Sequence, residues 1–187
     1  MNRREALTAT AAFLGSTIIG SQAFLSGCRR SETKIEDFNE EVLGLLDEVG
    51  ETILPATTSS PGAKAGKIGE FMKVIVTDCY SPEEQKIFFE GISTIQQAAD
   101  KKYGRSFVKL DDPQKFDLMV LFDQEARKLE SEKGREQMHF FSMLNQLTVW
   151  GFFSSEPGAT RALRYVPIPG RYEGCIPYKE GDGAWVY

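Results

Sequence analysis

The chain has 187 residues, of which 26% are charged, and a formal net charge of −5. This length allows one domain with a hydrophobic core. The acidic balance and the lack of a basic stripe argue against a nucleic-acid partner. No apolar run after residue 28 approaches the length that crosses a membrane.

An export signal that is cleaved off is predicted over residues 1–27. Arg3 and Arg4 precede a short apolar segment, and small residues follow it. These are the three parts of a signal peptide. Gly, Ser and Thr interrupt the apolar segment, and it is shorter than the about 20 residues of a membrane-spanning helix. Arg3, Arg4 and Leu7 resemble a twin-arginine signal, which exports folded proteins; a general secretory signal is the alternative.

The end of this signal resembles a bacterial lipobox. Cys28 follows Leu25, Ser26 and Gly27 directly after the apolar segment. In such signals the cysteine is lipidated and becomes the mature N-terminus, and the lipid anchors the protein. We therefore expect residues 28–34 to form a lipidated tether on the periplasmic side of the cell envelope. The alternative is a buried cysteine that happens to follow small residues.

Two cysteines remain after Cys28 is assigned to lipid. Cys79 and Cys175 would lie in a compartment where disulfides persist. A bridge between them would close a loop of roughly 100 residues and stabilise the fold by about 4–5 kcal/mol in the chain-entropy model. A free buried thiol and a bond to another chain are the alternatives.

A helical domain is predicted over residues 35–155. Apolar residues recur at steps of three and four over 35–53, 63–79, 82–103, 112–129 and 135–153, which is typical of amphipathic helices. The second apolar stripe ends at Cys79, and the fourth begins at Phe116. Ser81 and Asp111, each shortly before a proline, are typical helix starts.

The chain changes character over residues 156–187. Pro and Gly recur every few residues and exclude a long helix, and the segment is rich in Tyr. The sequence therefore predicts an all-α fold, a compact bundle of about five helices. An extended Pro/Gly/aromatic-rich C-terminal tail would pack on the bundle or on a partner.

Catalytic, cofactor-binding and metal-binding motifs are not recognisable in the sequence. His139 is the only histidine, and we expect it to be structural, since acid–base catalysis needs a partnered geometry. Met138 and Met143 are expected in the core rather than as metal ligands. No nucleotide-binding glycine loop or haem-attachment motif occurs. An exported domain of this kind is more typical of a binding protein than of an enzyme.

Residues 51–55, followed by 60–63, resemble the first signature of the gluconate 2-dehydrogenase subunit 3 family, and residues 147–155 with 165–175 resemble its second. The resemblance implies a small, helical, non-catalytic subunit. Its partner would be a large flavin-dependent dehydrogenase of the glucose-methanol-choline class that oxidises sugars, sugar acids or polyols. FAD would belong to the partner, and this chain would supply the export signal, anchoring and stabilisation. A cytochrome subunit is a further partner in such complexes, although the lipid on Cys28 offers a different anchor.

Interface anchors are typically Trp, Tyr and Arg, and one region supplies them. We expect the partner interface among Trp150, Phe152, Arg164, Tyr165, Arg171 and Tyr172. The alternative is that the aromatic residues of this helix are core residues: Trp150 and Phe153 would then belong to the core, and Arg171 and Tyr172 to the contact. Two other functions stay open: a stand-alone envelope lipoprotein that binds a ligand or another protein, and an enzyme in its own right.

Overall fold

A computed structural model describes residues 37–134, 138–168, 170, 174, 175, 177 and 179–186. The predicted signal with Arg3, Arg4 and Leu7, the tether with Cys28, and Arg171 and Tyr172 lie outside the described residues. The five long helices that are described are α1 Glu40–Ile53, α2 Ile68–Cys79, α3 Pro82–Tyr103, α4 Asp112–Lys133 and α5 Phe140–Ser154. The all-α fold predicted from the sequence is confirmed.

Short elements connect and follow these helices. Two 3-10 helices, Ala63–Gly66 and Phe107–Lys109, precede α2 and α4, and a π-helical turn, Gly158–Ala162, follows α5. In the tail, β1 Arg164–Tyr165 pairs in parallel with β2 Trp185–Val186. No helix among the described residues combines the length and the apolar character that crossing a membrane requires.

Local side-chain bonds set the helix starts that the sequence predicted. The Ser81 hydroxyl accepts a hydrogen bond from the backbone N–H of Glu84, and the Glu84 carboxylate accepts one from Ser81 N–H at 2.8 Å. This reciprocal capping box satisfies two backbone donors that the first turn would leave unpaired. Gln114 likewise accepts from the N–H of Asp111, at the start of α4.

The five helices bury a single apolar core. Every long helix, and the 3-10 helix before α4, contributes to it. The largest fully buried side chains are Leu45, Leu46, Ile68, Met72, Phe88, Ile92, Ile95, Phe107, Leu118, Met143, Leu144 and Phe152. Burial of each large aliphatic or aromatic side chain stabilises the folded state by about 1.5–3 kcal/mol. This core therefore stabilises the packing of the five helices.

The inward face of α4 differs from the prediction. Phe116, predicted to begin the buried stripe, has 61% of its surface exposed, whereas Lys115 is buried. The ammonium of Lys115 reaches the carboxylate of Glu48 on α1 at 2.8 Å. Since adjacent helical residues point about 100° apart, turning Lys115 inward directs Phe116 to solvent.

Two further sequence predictions are corrected at helix ends. Cys79 is exposed, because it is the last residue of α2. Met138, expected in the core, is 41% exposed, because it precedes the first turn of α5, which begins at Phe140 rather than at residue 135. Met143 lies in the core as predicted.

Both described cysteines are free thiols. Cys79 and Cys175 are exposed and are not joined by a disulfide. The internal bridge that the sequence allowed is therefore not formed in this structure. Exposure of Cys79 also excludes the alternative in which it is a buried thiol.

Candidate partner interface

The first family-like segment closes the loop between α1 and α2. The two carboxylate oxygens of Glu51 accept hydrogen bonds from the backbone N–H groups of Ala56, at 3.0 Å, and Lys64, at 2.9 Å. The carbonyl of Leu54 accepts from Ala63 N–H at 2.9 Å. A Cβ atom on Gly62 would lie 2.0 Å from the Glu51 carboxylate, so a side chain there would displace that carboxylate. These residues shape a loop, and their polar groups are directed at the chain itself.

A charged cluster lies beside this loop. Glu48 pairs with buried Lys115 and with exposed Lys64. Partial burial alone would raise the pKa of Glu48, but the hydrogen bonds and charges of Lys115 and Lys64 outweigh it and hold that pKa below its usual value. Asp47 accepts from the N–H of Gly69 at 2.9 Å and so caps α2. Each of these acidic groups therefore has a structural partner.

The lone histidine caps α5. His139 Nδ1 accepts a hydrogen bond from the backbone N–H of Phe141 at 3.2 Å, and its ring lies 4.5 Å from that of Phe140. Partial burial lowers the pKa of His139, with the negative charge of Glu125 acting in the opposite direction. This geometry agrees with the structural role predicted for it. Within the described ranges, no group of three or more His, Cys, Asp or Glu side chains could hold a metal ion.

The second family-like segment forms the end of α5 and its contact with α2. A Cβ atom on Gly151 would lie 2.6 Å from the ring of Phe71, so the ring packs directly on the α5 backbone. Trp150 meets the same ring edge-on, with centroids 5.3 Å apart and planes at 83°. This T-shaped arrangement is favourable for aromatic pairs. It holds the indole of Trp150 in a defined orientation at the surface.

The burial of this segment corrects three predictions. Trp150 and Phe153, assigned to the core, are 52% and 36% exposed. Phe152, proposed for the interface, is fully buried. The reason is helical phase: Phe152 continues the buried line of Leu144 and Thr148 at steps of four, whereas Trp150 and Phe153 lie on the opposite side of α5.

Arg164 and Tyr165, the two described tail residues predicted for the interface, are exposed. Arg164 lies opposite Trp185 in the short parallel pair of β1 and β2, and its guanidinium sits 4.0 Å from the centre of the indole ring. Tyr165 is 47% exposed. Cation–π packing therefore ties two distant parts of the tail together, and it engages the Arg164 side chain within the chain itself.

The sequence did not indicate that α2 contributes exposed apolar side chains next to Trp150. Val74 is 55% exposed, and Phe71, one turn before it, is half-buried under Trp150. Phe71 belongs to the apolar stripe that the sequence predicts over residues 63–79, whereas Val74 does not. The surface formed by Phe71, Val74, Val149, Trp150 and Phe153 is called the Trp150 surface below.

Comparison with known proteins identifies the family. The gluconate 2-dehydrogenase subunit 3 profile matches residues 40–170, from the start of α1 to beyond β1. No curated protein and no solved structure matches the chain. The profile covers most of the chain and includes the Glu51 loop and the end of α5, which confirms the resemblance seen in the sequence. The chain belongs to the gluconate 2-dehydrogenase subunit 3 family.

Proposed function

We propose that this chain is the non-catalytic small subunit of a periplasmic, flavin-dependent sugar, gluconate or polyol dehydrogenase. The family match over residues 40–170 carries this proposal, because the family is described as subunit 3 of gluconate 2-dehydrogenase. The partner would be a large subunit of the glucose-methanol-choline class that binds FAD and performs the oxidation. The small subunit would export, anchor and stabilise it.

The predicted export signal supports the escort role. Arg3 and Arg4 begin a segment typical of export in the folded state. A folded passenger can carry a bound partner, so one signal would serve both chains. Lipidation of Cys28 would then keep the complex at the membrane, since the lipid adds about 0.8 kcal/mol of membrane affinity for each buried methylene.

The exposed aromatic side chains support a binding role. Trp150, Tyr165 and Trp185 each expose about half of their surface. Exposed Trp and Tyr are enriched where proteins bind one another, because their large rings leave water at little cost in conformational entropy. The polar groups of the Glu51 loop, by contrast, are bonded within the chain.

Purification of the full-length chain from its host's membranes tests the proposal. We expect a large flavoprotein to co-purify, with about one flavin per small subunit, and to reduce a dye with a sugar, sugar acid or polyol. The separated small chain should not reduce the dye. Recovery of the chain alone would favour the stand-alone lipoprotein, and dye reduction by the isolated chain would show that it is an enzyme.

Exchange of Arg3 and Arg4 for lysine tests the escort step. Twin-arginine export does not tolerate this exchange, whereas a general secretory signal depends only on positive charge in this region. We expect both this chain and its flavoprotein to stay in the cytoplasm of the variant. Flavoprotein that reaches the periplasm unaided would separate the subunit role from the escort role. Cys28→Ala should release the exported complex from the membrane.

A further inference from the structure

We propose that the Trp150 surface, rather than the tail, is the main docking site for the catalytic subunit. This inference rests on the proposed function and specifies which part of the small subunit makes the contact. It commits to a partner surface that is apolar at its centre and basic along the side that faces α2.

The composition of α5 is the first observation. Among the five described long helices, α5 alone contains no Asp, Glu, Lys or Arg, in a chain that is 26% charged. The helix is not fully buried, however. Its exposed residues are Asn145, Gln146, Val149, Trp150 and Phe153. The centres of protein interfaces are depleted of charge and enriched in aromatic residues. An exposed helix face without charge is therefore the part of this chain best suited to lose its water.

Preorganisation is the second observation. Gly151 lets the ring of Phe71 lie against the α5 backbone, and Trp150 then packs edge-on against that ring. The indole is fixed before any partner arrives, although half of it remains exposed. Binding through a side chain that is already ordered loses less conformational entropy. Trp150 thus has the character of an interface anchor.

The charged edge of the surface defines the partner further. Glu70 and Asp78 lie one turn before and after Val74 on α2, and both are exposed. These two carboxylates outnumber the one lysine of α2, exposed Lys73, and so leave a net negative charge next to the uncharged centre. Electrostatic complementarity across interfaces favours Lys or Arg opposite such an edge. The acidic net charge of the chain also favours a basic partner surface.

A second exposed apolar stripe provides the comparison. Phe116 and Val120 on α4 are 61% and 36% exposed, but α4 interleaves them with charged residues. Asp112 and Asp117 flank Phe116, and Asp117 pairs with Lys102 of α3. This stripe therefore resembles ordinary protein surface and supplies matched control positions.

The test places a carboxylate in each stripe of the full-length chain and measures the flavin that co-purifies. Val149→Asp should lower the flavin recovered per small subunit by about tenfold or more, since a buried unpaired charge weakens binding strongly. Val120→Asp should leave the recovery within about a factor of two of wild type. Thermal unfolding of both variants establishes that each domain is folded.

Full recovery of flavin with Val149→Asp would overturn the proposed site and leave the proposed function intact. If the wild-type chain itself brings no flavoprotein, the proposed function fails and the docking site fails with it.

A photo-activated cross-linker identifies the neighbour directly. Placed at Val74 in the full-length chain, it should join the small subunit to the flavoprotein, and placed at Phe116 it should not. Both positions are more than half exposed, at 55% for Val74 and 61% for Phe116. A cross-link from position 74 to a second copy of this chain would overturn the proposal in favour of self-association. Equal cross-linking to the flavoprotein from both positions would show that the Trp150 surface is not the preferred site.

Discussion

The carboxylate of Glu51 on α1 lies against Gly62 of the following loop, where a side chain would displace it. A Cβ atom on Gly62 would lie 2.0 Å from Oε1 and 2.2 Å from Oε2 of Glu51. The same oxygens hold the N–H groups of Ala56 and Lys64. The loop between α1 and α2 therefore depends on the carboxylate and on the glycine together.

This relationship predicts that the two residues are not independent. Glu51→Ala should lower the free energy of unfolding by about 1–3 kcal/mol, because two backbone donors lose their acceptor. Gly62→Ala should have a similar effect, since the new methyl group displaces the carboxylate. The double variant should therefore be about as stable as either single one. Urea unfolding of the three variants measures this coupling, and simple additivity of the two losses would contradict it.

A pair of glycines in helices predicts stability changes of opposite sign. A Cβ atom on Gly91 of α3 would lie 2.4 Å from Cβ of Phe140, so Gly91→Ala must separate α3 from α5. Overpacking of this kind costs about 1–3 kcal/mol. Gly44 of α1 has nothing within 4 Å of its Cβ position. Gly44→Ala should therefore stabilise the protein by about 0.5–1 kcal/mol through reduced entropy of the unfolded chain.

Thermal unfolding of the two alanine variants provides the measurement. We expect the melting temperature to fall for Gly91→Ala and to rise for Gly44→Ala. A rise for Gly91→Ala would contradict the helix packing at Gly91, and a fall for Gly44→Ala would contradict the open space at Gly44. The comparison is well matched, because both substitutions add one methyl group within a helix.

Features that local chemistry decides were predictable from the sequence. The starts of α3 and α4 follow from Ser81 and Asp111, whose capping partners lie three residues away. The orientation of α4 was not predictable, because it depends on the pair of Lys115 and Glu48, which are 67 residues apart. Periodicity shows that a helix has an apolar face, but it does not show which neighbour carries a charge to that face.

The candidate interface illustrates the same limit. α5 is apolar on almost every side, so its sequence could not distinguish buried Phe152 from exposed Trp150 and Phe153. The distinction depends on where α2 crosses α5, which Gly151 and Phe71 determine through their contact. The sequence pointed to an aromatic segment, whereas the identity of its outward-facing side chains depends on the packing of the helices.

The two lysines bound to Glu48 should differ in their contribution to stability. The Lys115 side chain is 9% exposed and that of Lys64 is 55% exposed. Lys64→Met should change the free energy of unfolding by about 0–1 kcal/mol, as expected for an exposed ion pair. Lys115→Met keeps the aliphatic length but leaves Glu48 without its buried partner, and should cost about 1–3 kcal/mol.

A third variant separates the charge of Glu48 from the packing around it. Glu48→Met combined with Lys115→Met removes both members of the buried pair and should recover most of the loss caused by Lys115→Met alone. Chemical unfolding of the single and double variants gives the comparison. If the double variant is less stable than Lys115→Met, Glu48 stabilises the fold even without Lys115, and an unpaired carboxylate is not the cause of the loss.

We expect the stability of the fold to depend on pH near neutrality through His139, because the chain has no other histidine. Burial lowers its pKa in the folded state, while the unfolded chain should titrate at about 6.5. The unfolded state therefore takes up the proton first as the pH falls, so stability is full above about pH 7 and decreases below about 6.5. Protonation of Nδ1 also removes the acceptor for Phe141 N–H.

His139→Asn supplies the control for this prediction. Asn keeps a favourable N-cap acceptor and has no group that titrates between about pH 5 and 8. The melting temperature of the wild-type protein should fall between about pH 7.5 and 5.5 by more than that of the variant. His139→Ala should be less stable than His139→Asn by about 1 kcal/mol at both pH values, because it lacks the cap. Parallel pH profiles for the wild-type protein and His139→Asn would show that the neutral imidazole is not what holds the start of α5.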